Sequence, residues 1–404
     1  VANSFLSPTI ITREALRILH ANLNFIGSIN RQYDNQFANE GASPSGKIGP
    51  TLTIRKPNRF TVRSGSTLGV QDVAEDSTTL TVSTQKGVDT NFSATDLTLT
   101  IDEFSKRYLQ PAMARLASEI EADALNMLND VYNLIDDDTV AISFLDFLKA
   151  GQRLDETLTP DDGDRTGVLC LTHNTKFADA VKGLFNPQAQ LGEMYRKGVV
   201  AANTAGMDKV FRNSLLTAHT TGTAAKTTGY TVSGANQTGA SVTVTGGTTT
   251  FLIGDVVTFA GCNAVHPETK ANLGYLQQFV ITANSGASAT SLAVSPSIVV
   301  TGAKQNVSAS PTDTGAVVKV GAGANETYTQ SVVFHPEAFT FVSADLIDVS
   351  KYGSWGGRQT MDGISMRIAR QYDIVNDKIP CRLDVLYGYK TIRPEFACRV
   401  HADG

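Results

Sequence analysis

Six histidines and four cysteines are the residues from which this 404-residue chain could most readily build a reactive or metal-holding site. Cys170 and His173 have C-x-x-H spacing, and Cys262 and His266 flank a turn-like stretch, with the donor types that Zn²⁺ takes. Neither has a second pair of ligands nearby, and on a strand positions 170 and 173 would point to opposite faces. The runs Asp136-Asp137-Asp138 and Asp161-Asp162-Gly163-Asp164 offer oxygen donors to a hard cation, but they lack the spacing and closing glutamate of a calcium-binding loop. They read as solvated turns. "GASPSGKI", residues 41–48, comes close to a phosphate-binding loop. However, Ile48 stands where the magnesium-binding hydroxyl belongs, no apolar strand precedes it, and Gly49-Pro50 prevents the helix whose N-terminus would hold phosphate. There is no G-x-S-x-G elbow, and the histidines lie in unrelated contexts. The expectation is a protein without catalytic residues, metal or cofactor.

The stronger local pattern is basic. "TLTIRKPNRFTVRSG", residues 51–65, carries Arg55, Lys56, Arg59 and Arg63, while Leu52, Ile54, Phe60 and Val62 alternate as on a strand with one apolar face. The aromatics Phe60, Tyr108 and Tyr132 do not interleave with these cations as a base-stacking platform would. A formal charge of −5 argues against a surface that coats nucleic acid throughout. Holding another protein is the better use for such a segment.

The elements that would carry it can be read in order. Apolar residues at 41% and charged residues at 18% describe a globular chain long enough for two or three domains. No apolar run approaches the ~20 residues that cross a bilayer, so no membrane partner is expected. No signal-peptide core opens the sequence, Val1-Ala2-Asn3 reads as a start trimmed of its methionine, and the scattered cysteines read as reduced thiols. Leu16, Leu19, Leu23 and Ile26 predict a helix starting near Thr12 and Glu14. A polar arm follows, then strands over residues 51–101 around an acidic centre, "GVQDVAEDSTT". The stripe Ala112, Leu116, Ile120, Ala124, Leu128, Val131 and Ile135 predicts a long helix over 111–135, about 37 Å at 1.5 Å per residue, with Glu119, Glu121, Asp123 and Asp130 on its other side.

Residues 136–216 alternate helix and strand. From Thr217 to Val320 the chain contains no arginine and only seven charged residues. There "YTVSG", "SVTVTGG", "DVVTFAG", "QFVITAN", "TSLAVSP" and "GAVVKVG" each pair a short strand with a turn signal, which predicts a small β-barrel or sandwich. Ordinary composition then returns, with strands in "SVVFHPEAFTFVS" and "CRLDVLYGYKTI".

Taken in order, "NSFLSPTIITREALRILHANLNF", "IRKPNRF", "PAMARLASEIEADALNML", "AGMDKVFRNSLLTAHTTG", "GDVVTFAGCNAVHPETK" and "CRLDVLYGYKTIRPEFACRV" resemble the major capsid (coat) proteins of tailed bacteriophages, in the branch with an inserted β domain. The resemblance covers nearly the whole chain. It implies an α+β fold of the tailed-phage and herpesvirus capsid type: an N-terminal helix and arm over 1–50, an extended loop with peripheral strands over 51–101, and a spine helix over 102–135. An axial and peripheral α/β body would take 136–216 and 328–404, with the inserted β-barrel or sandwich domain at 217–327. The implied partners are copies of itself in pentamers and hexamers of an icosahedral shell, a scaffolding protein, a portal, and double-stranded DNA packaged without sequence-specific contact. The implied place is the virion capsid, after assembly in the bacterial cytoplasm.

Under that resemblance Arg55, Lys56, Arg59 and Arg63 would sit on the extended loop and pair with Glu119, Glu121 and Asp123 on a neighbour's spine helix. The rivals are a bacterial nanocompartment shell and a tail-borne or secreted carbohydrate-binding protein that uses the inserted domain, with a metal hydrolase behind both. Within the insertion, Tyr230 and Tyr275 are the tyrosines a glycan could stack on. A brace for the subunit is the alternative role for that domain.

Overall fold

The computed structural model describes residues 8–21, 23–33, 49–63, 65–68, 70, 75–93, 109–137, 142–180, 205–352, 355–361, 363–375 and 378–402. In chain order the elements begin with helices α1 (Pro8–Ala21) and α2 (Phe25–Ser28), then strands β1 (Thr51–Arg55), β2 (Ser77–Thr81) and β3 (Thr84–Ser93). Next come α3 (Gln110–Leu125), β4 (Leu134–Asp137), α4 (Phe144–Glu156), β5 (Thr166–Leu169), α5 (Leu171–Ala180), β6 (Lys209–Arg212) and β7 (His219–Thr220). A run of strands follows: β8 (Thr227–Val232), β9 (Gly239–Thr245), β10 (Val256–Val265), β11 (Asn272–Ile281), β12 (Ser291–Ile298), β13 (Ala316–Val320) and β14 (Thr327–Tyr328). The chain closes with β15 (Ser331–Phe334), β16 (Phe339–Ala344), β17 (Trp355–Met361), β18 (Ile364–Arg370), β19 (Lys378–Thr391) and β20 (Ala397–Ala402).

Two compact units form. The first comprises Val1–Arg55, Ser77–Ala124 and Phe339–Lys390. Its sheet runs β16-β19-β18-β17, and β3 also pairs with β19, in register from Lys378↔Ser93 to Tyr387↔Thr84. β1 and β2 make a separate antiparallel pair. Helix α1 starts at Pro8, where a proline costs no hydrogen bond, and packs Leu16 and Leu19 towards β17 and β18. The start expected at Thr12 lies a turn inside it, with the Thr12 side chain buried. Helix α3 buries Met113, Leu116, Ala117, Ile120 and Ala124.

The second unit comprises Lys56–Asp76, Leu125–Ala338 and Thr391–Gly404. Its body is a mixed sheet in the order β4-β20-β15-β5-β6. Phe147, Ala150 and Leu154 of α4 and Phe177 of α5 pack into one core with Leu169, Val333 and Val400. Ser143 and Asp146 close a capping box at the start of α4, with the Asp146 carboxylate accepting from Ser143 N–H at 2.8 Å. The other part of the unit is a closed six-stranded barrel, β10-β11-β12-β9-β8-β13, which fulfils the turn-punctuated pattern. Alternate residues fill its interior, among them Val242, Val244, Phe259, Phe279, Val294 and Val317. Gly247 is required there, because the Tyr230 ring lies where a Cβ would stand.

The spine helix is shorter than its apolar stripe predicts. α3 has 16 residues, about 24 Å, and a 3₁₀ turn over Asn126–Asp130 ends it. Val131 and Ile135 are buried as expected, but on extended backbone: Val131 caps the 3₁₀ turn, and Ile135 belongs to β4, which pairs in parallel with β20 from Leu134↔Arg399 onward. At Ile135, tertiary pairing overrides the helical spacing of a β-branched residue.

Candidate subunit-contact surface

The basic segment enters as β1 and leaves the ladder at Pro57, which has no N–H to donate. Arg55 is the last strand residue, opposite Ser77. Lys56 is half-buried, and its N–H donates to the Asp76 carbonyl at 2.7 Å, closing the neck of loop 56–76, of which residues 64, 69 and 71–74 lie outside the described residues. Beyond Pro57 the alternation does not mark a buried strand face: Phe60 is 65% exposed and Val62 98%. Leu68 at 79% and Val70 at 84% join them. Arg59 is half-exposed and lies 3.9 Å from Glu395, while the Arg63 guanidinium donates to the Gly65 carbonyl. The loop therefore turns cations and large apolar side chains outward together. Leu68, just before the acidic centre, and Val70, within it, were not singled out by the alternation, which marks faces that become buried.

The three carboxylates on α3 separate into two environments. Glu121 is 1% exposed, and its two oxygens accept the N–H groups of Asn24 (3.0 and 3.2 Å) and Phe25 (2.9 Å). It satisfies the free N–H groups where α2 begins and is not presented to another subunit, which corrects its candidacy. The signal was available: helical spacing puts Glu121 on the same stripe as Ala117 and Ala124. Glu119 and Asp123, one turn apart on another face, both hold Lys86, at 3.3 and 2.7 Å. Glu119 also pairs with Arg115, and Asp123 accepts the Tyr387 hydroxyl. Desolvation would lower the Lys86 pKa, but hydrogen bonds to Asp123 and Glu119 outweigh it and hold the ammonium above its ordinary value. Both carboxylates remain partly exposed while serving this pair.

The motifs that suggested chemistry are built into the fold. Cys170 follows the end of β5, and His173 lies on α5 rather than on a shared strand. The Cys170 sulfur accepts the His173 N–H, and His173 Nδ1 meets Ser331 Oγ at 2.8 Å. Cys262 is buried in the barrel, and desolvation pushes its thiol up to about 12. Asp162 lies 3.2 Å from His335, and Asp164 binds Lys209 at 2.6 Å. Asp136 accepts from His401 at 2.9 Å. Residues 41–48 and Asp138 lie outside the described residues. Among the described residues no three His, Cys, Asp or Glu side chains are placed to hold a metal.

The barrel is fastened to the body sheet within its own unit. Gln278 on β11 accepts from Leu134 N–H and donates to the Leu134 carbonyl, each at 2.8 Å. Tyr275 donates to Glu156 at 2.7 Å, with the Arg153 guanidinium 3.6 Å over its ring. Asp255 accepts from His219 at 3.0 Å and from Leu252 and Gly222 N–H at 2.9 and 3.1 Å.

Residues 46–399 match the family described as P22 coat protein, gene protein 5. The chain belongs to the P22 coat protein family. It is a major capsid protein, a structural protein whose copies assemble into an icosahedral shell, and its place is the virion capsid. No curated protein matches it. Among solved structures, the coat protein is similar to one from Mycobacterium phage Che8, with 11% identity, 100% of this chain and 94% of that chain covered, and a TM-score of 0.44. The mature capsid of bacteriophage PhiM1 matches at 11% identity over 88% of this chain and 82% of that chain, with a TM-score of 0.45. The CUS-3 coat protein I-domain matches at 27% identity over 23% of this chain and 96% of that one, with a TM-score of 0.19. Among the described residues, no helix of the coat protein is long and apolar enough to cross a membrane.

Proposed function

We propose that the coat protein forms the pentamers and hexamers of a shell around double-stranded phage DNA, and that each subunit lays loop 56–76 on a neighbouring copy. The observation that carries this reading is the outward display of Phe60, Val62, Leu68 and Val70 beside Arg55, Arg59 and Arg63. Burying each of those apolar side chains is worth about 1.5–3 kcal/mol, whereas a rim ion pair contributes roughly 0–1. The apolar residues would supply the adhesion and the cations the orientation. Glu119 and Asp123 remain the candidate acceptors on the neighbour, by exchange with or in addition to Lys86.

The protein has no catalytic role in this reading. Assembly takes place in the host cytoplasm with a scaffolding protein and a portal. The DNA is confined rather than gripped: duplex carries about one charge per 1.7 Å, and a chain of net charge −5 offers no general basic lining to hold it. The inserted barrel acts as a brace. Its two tyrosines support that role over glycan stacking, since Tyr230 lies inside the barrel and Tyr275 is spent on Glu156 and Arg153.

The test is a Phe60→Ser, Val62→Ser double variant, followed by circular dichroism of the monomer and electron microscopy of the assembly reaction. A folded monomer with few or no closed shells is the expected result. Closed shells at the parental yield would overturn the docking role of the loop.

A further inference from the structure

Between Thr217 and Val320 the chain has only four lysines, and each has a definite use. Lys226 faces Asp136 at 3.5 Å, and buried Lys319 donates to the Gly323 carbonyl at 2.6 Å. The other two act together at the neck of loop 56–76. Lys304 stands on the turn after β12 and places its Nζ 2.6 Å from the Asp76 carboxylate. Asp76 is the residue whose carbonyl receives Lys56 N–H to close the neck.

The turn that carries Lys304 is held from beneath. Lys270 directs its Nζ at the carbonyls of Pro267, Ala303 and Gln305, at 2.6, 2.8 and 3.1 Å. Two of those carbonyls flank Lys304 in sequence. An ammonium has three protons, and this one gives them to three backbone oxygens, tying the turns on either side into one piece. Gln305 N–H closes the turn onto Gly302 O at 3.1 Å, and Asn306 bonds Val299 N–H and Ser297 O, at 2.9 and 2.8 Å. Lys304 thus projects from a stiff base, in a barrel otherwise almost without charge, towards a carboxylate outside the barrel. Arg59 of the same loop lies 3.9 Å from Glu395.

From this arrangement we infer that Lys304 and Asp76 form a latch through which the inserted barrel sets the direction of the extended loop in the unassembled subunit. Lys304 is a positioning residue: it touches the neck, not the docking face. The pair is solvent-exposed and weak by itself, so its effect lies in the loop's population of orientations and not in global stability. The inference rests on the proposed docking of the loop only for its consequence in assembly. The latch itself is a property of the single chain.

The experiment compares Lys304→Glu, Asp76→Lys and the double exchange, using monomeric protein and an arginine-specific protease that cuts at Arg59 and Arg63. Each single reversal is expected to speed cleavage in the loop by about two- to fivefold, the range open to an exposed ion pair. The double exchange should restore the parental rate, and salt at 1 M, where the screening length is about 3 Å, should bring the parent up to the single variants. Parental cleavage rates in the single variants, or a double exchange that cuts as fast as they do, would overturn the latch. Shell formation by the same proteins answers the other question. A released loop with normal shells leaves the latch standing and removes its consequence for assembly, while the docking role falls only if Phe60→Ser, Val62→Ser also closes shells at the parental yield. An unreleased loop with failed shells overturns the latch and leaves the docking role in place.

Discussion

Gln278 holds Leu134 by both backbone groups, as a neighbouring strand would, with its amide oxygen on the N–H and its amide nitrogen on the carbonyl, each at 2.8 Å. Leu134 opens β4, the edge strand of the body sheet, and Gln278 belongs to the barrel. One side chain therefore covers the start of an open edge and fastens the insertion to the body. Gln278→Ala leaves the Leu134 pair without these partners and should lower unfolding stability by about 1–3 kcal/mol in urea denaturation. Gln278→Asn, too short to span both groups, should recover little of it.

Glu121 and Glu119 are two residues apart yet should respond differently to truncation. Glu121→Ala strips the acceptor from the N–H groups of Asn24 and Phe25 and should cost about 1.5–3 kcal/mol in monomer stability. Glu119→Ala removes a surface partner of Lys86 and Arg115 and should cost roughly 0–1 kcal/mol. Equal losses in thermal or chemical denaturation would contradict the separation of environments.

These contrasts mark what the sequence carries and what it hides. All six turn-punctuated segments in the insertion became barrel strands, because short apolar, β-branched runs between glycine, asparagine and proline turn signals admit few other structures. Alternation misleads at Phe60 and Val62, since period two marks a face that prefers to leave water without saying whether its cover is in the same chain. Ile135 follows a helical stripe, yet it lies on a strand because β20, more than 260 residues later in sequence, offers an edge to pair with. Contacts of this range, like that between Glu121 and Asn24, cannot be inferred from spacing. The latch at Lys304 is of the same kind, a turn residue whose partner lies 228 positions earlier in the chain.

Acid should weaken the second unit through Asp255 and Asp136. Burial tends to raise both carboxyls. Asp255 is nonetheless lowered by bonds from His219, Leu252 N–H and Gly222 N–H, and Asp136 by His401, Lys226 and Gly321 N–H. A carboxyl whose folded pKa lies below its unfolded value stabilises the fold above the unfolded value, near 3.8, and that contribution is lost as pH falls through the folded one. Unfolding free energy should therefore be flat in this respect above about pH 5 and fall below pH 4. Asp255→Asn should be less stable at pH 7 and show a shallower acid limb.

Two glycines test the barrel packing. At Gly247 an added methyl meets the Tyr230 ring, whose hydroxyl already donates to Thr249 O at 2.6 Å and so limits its retreat. Gly247→Ala should destabilise the barrel by about 1–3 kcal/mol through overpacking. At Gly286 nothing lies within 4 Å of the added Cβ. Gly286→Ala should leave the melting temperature at or slightly above the parental value.

Charge and apolar surface on the extended loop should separate in the kinetics of assembly. Arg59 and Arg63 are partly solvated, so reversing them changes how subunits approach and orient more than how firmly they adhere. Arg59→Glu, Arg63→Glu should slow the early rise of light scattering several-fold at low salt, with a folded monomer and a gap that narrows as salt screens the charges. Phe60→Ser, Val62→Ser should instead lower the final yield at every salt concentration, because desolvation of apolar surface is little affected by screening. A charge-reversed protein that assembles at the parental rate in low salt would remove these arginines from the contact. A defect that persists unchanged in high salt would mean that they act through packing rather than through charge.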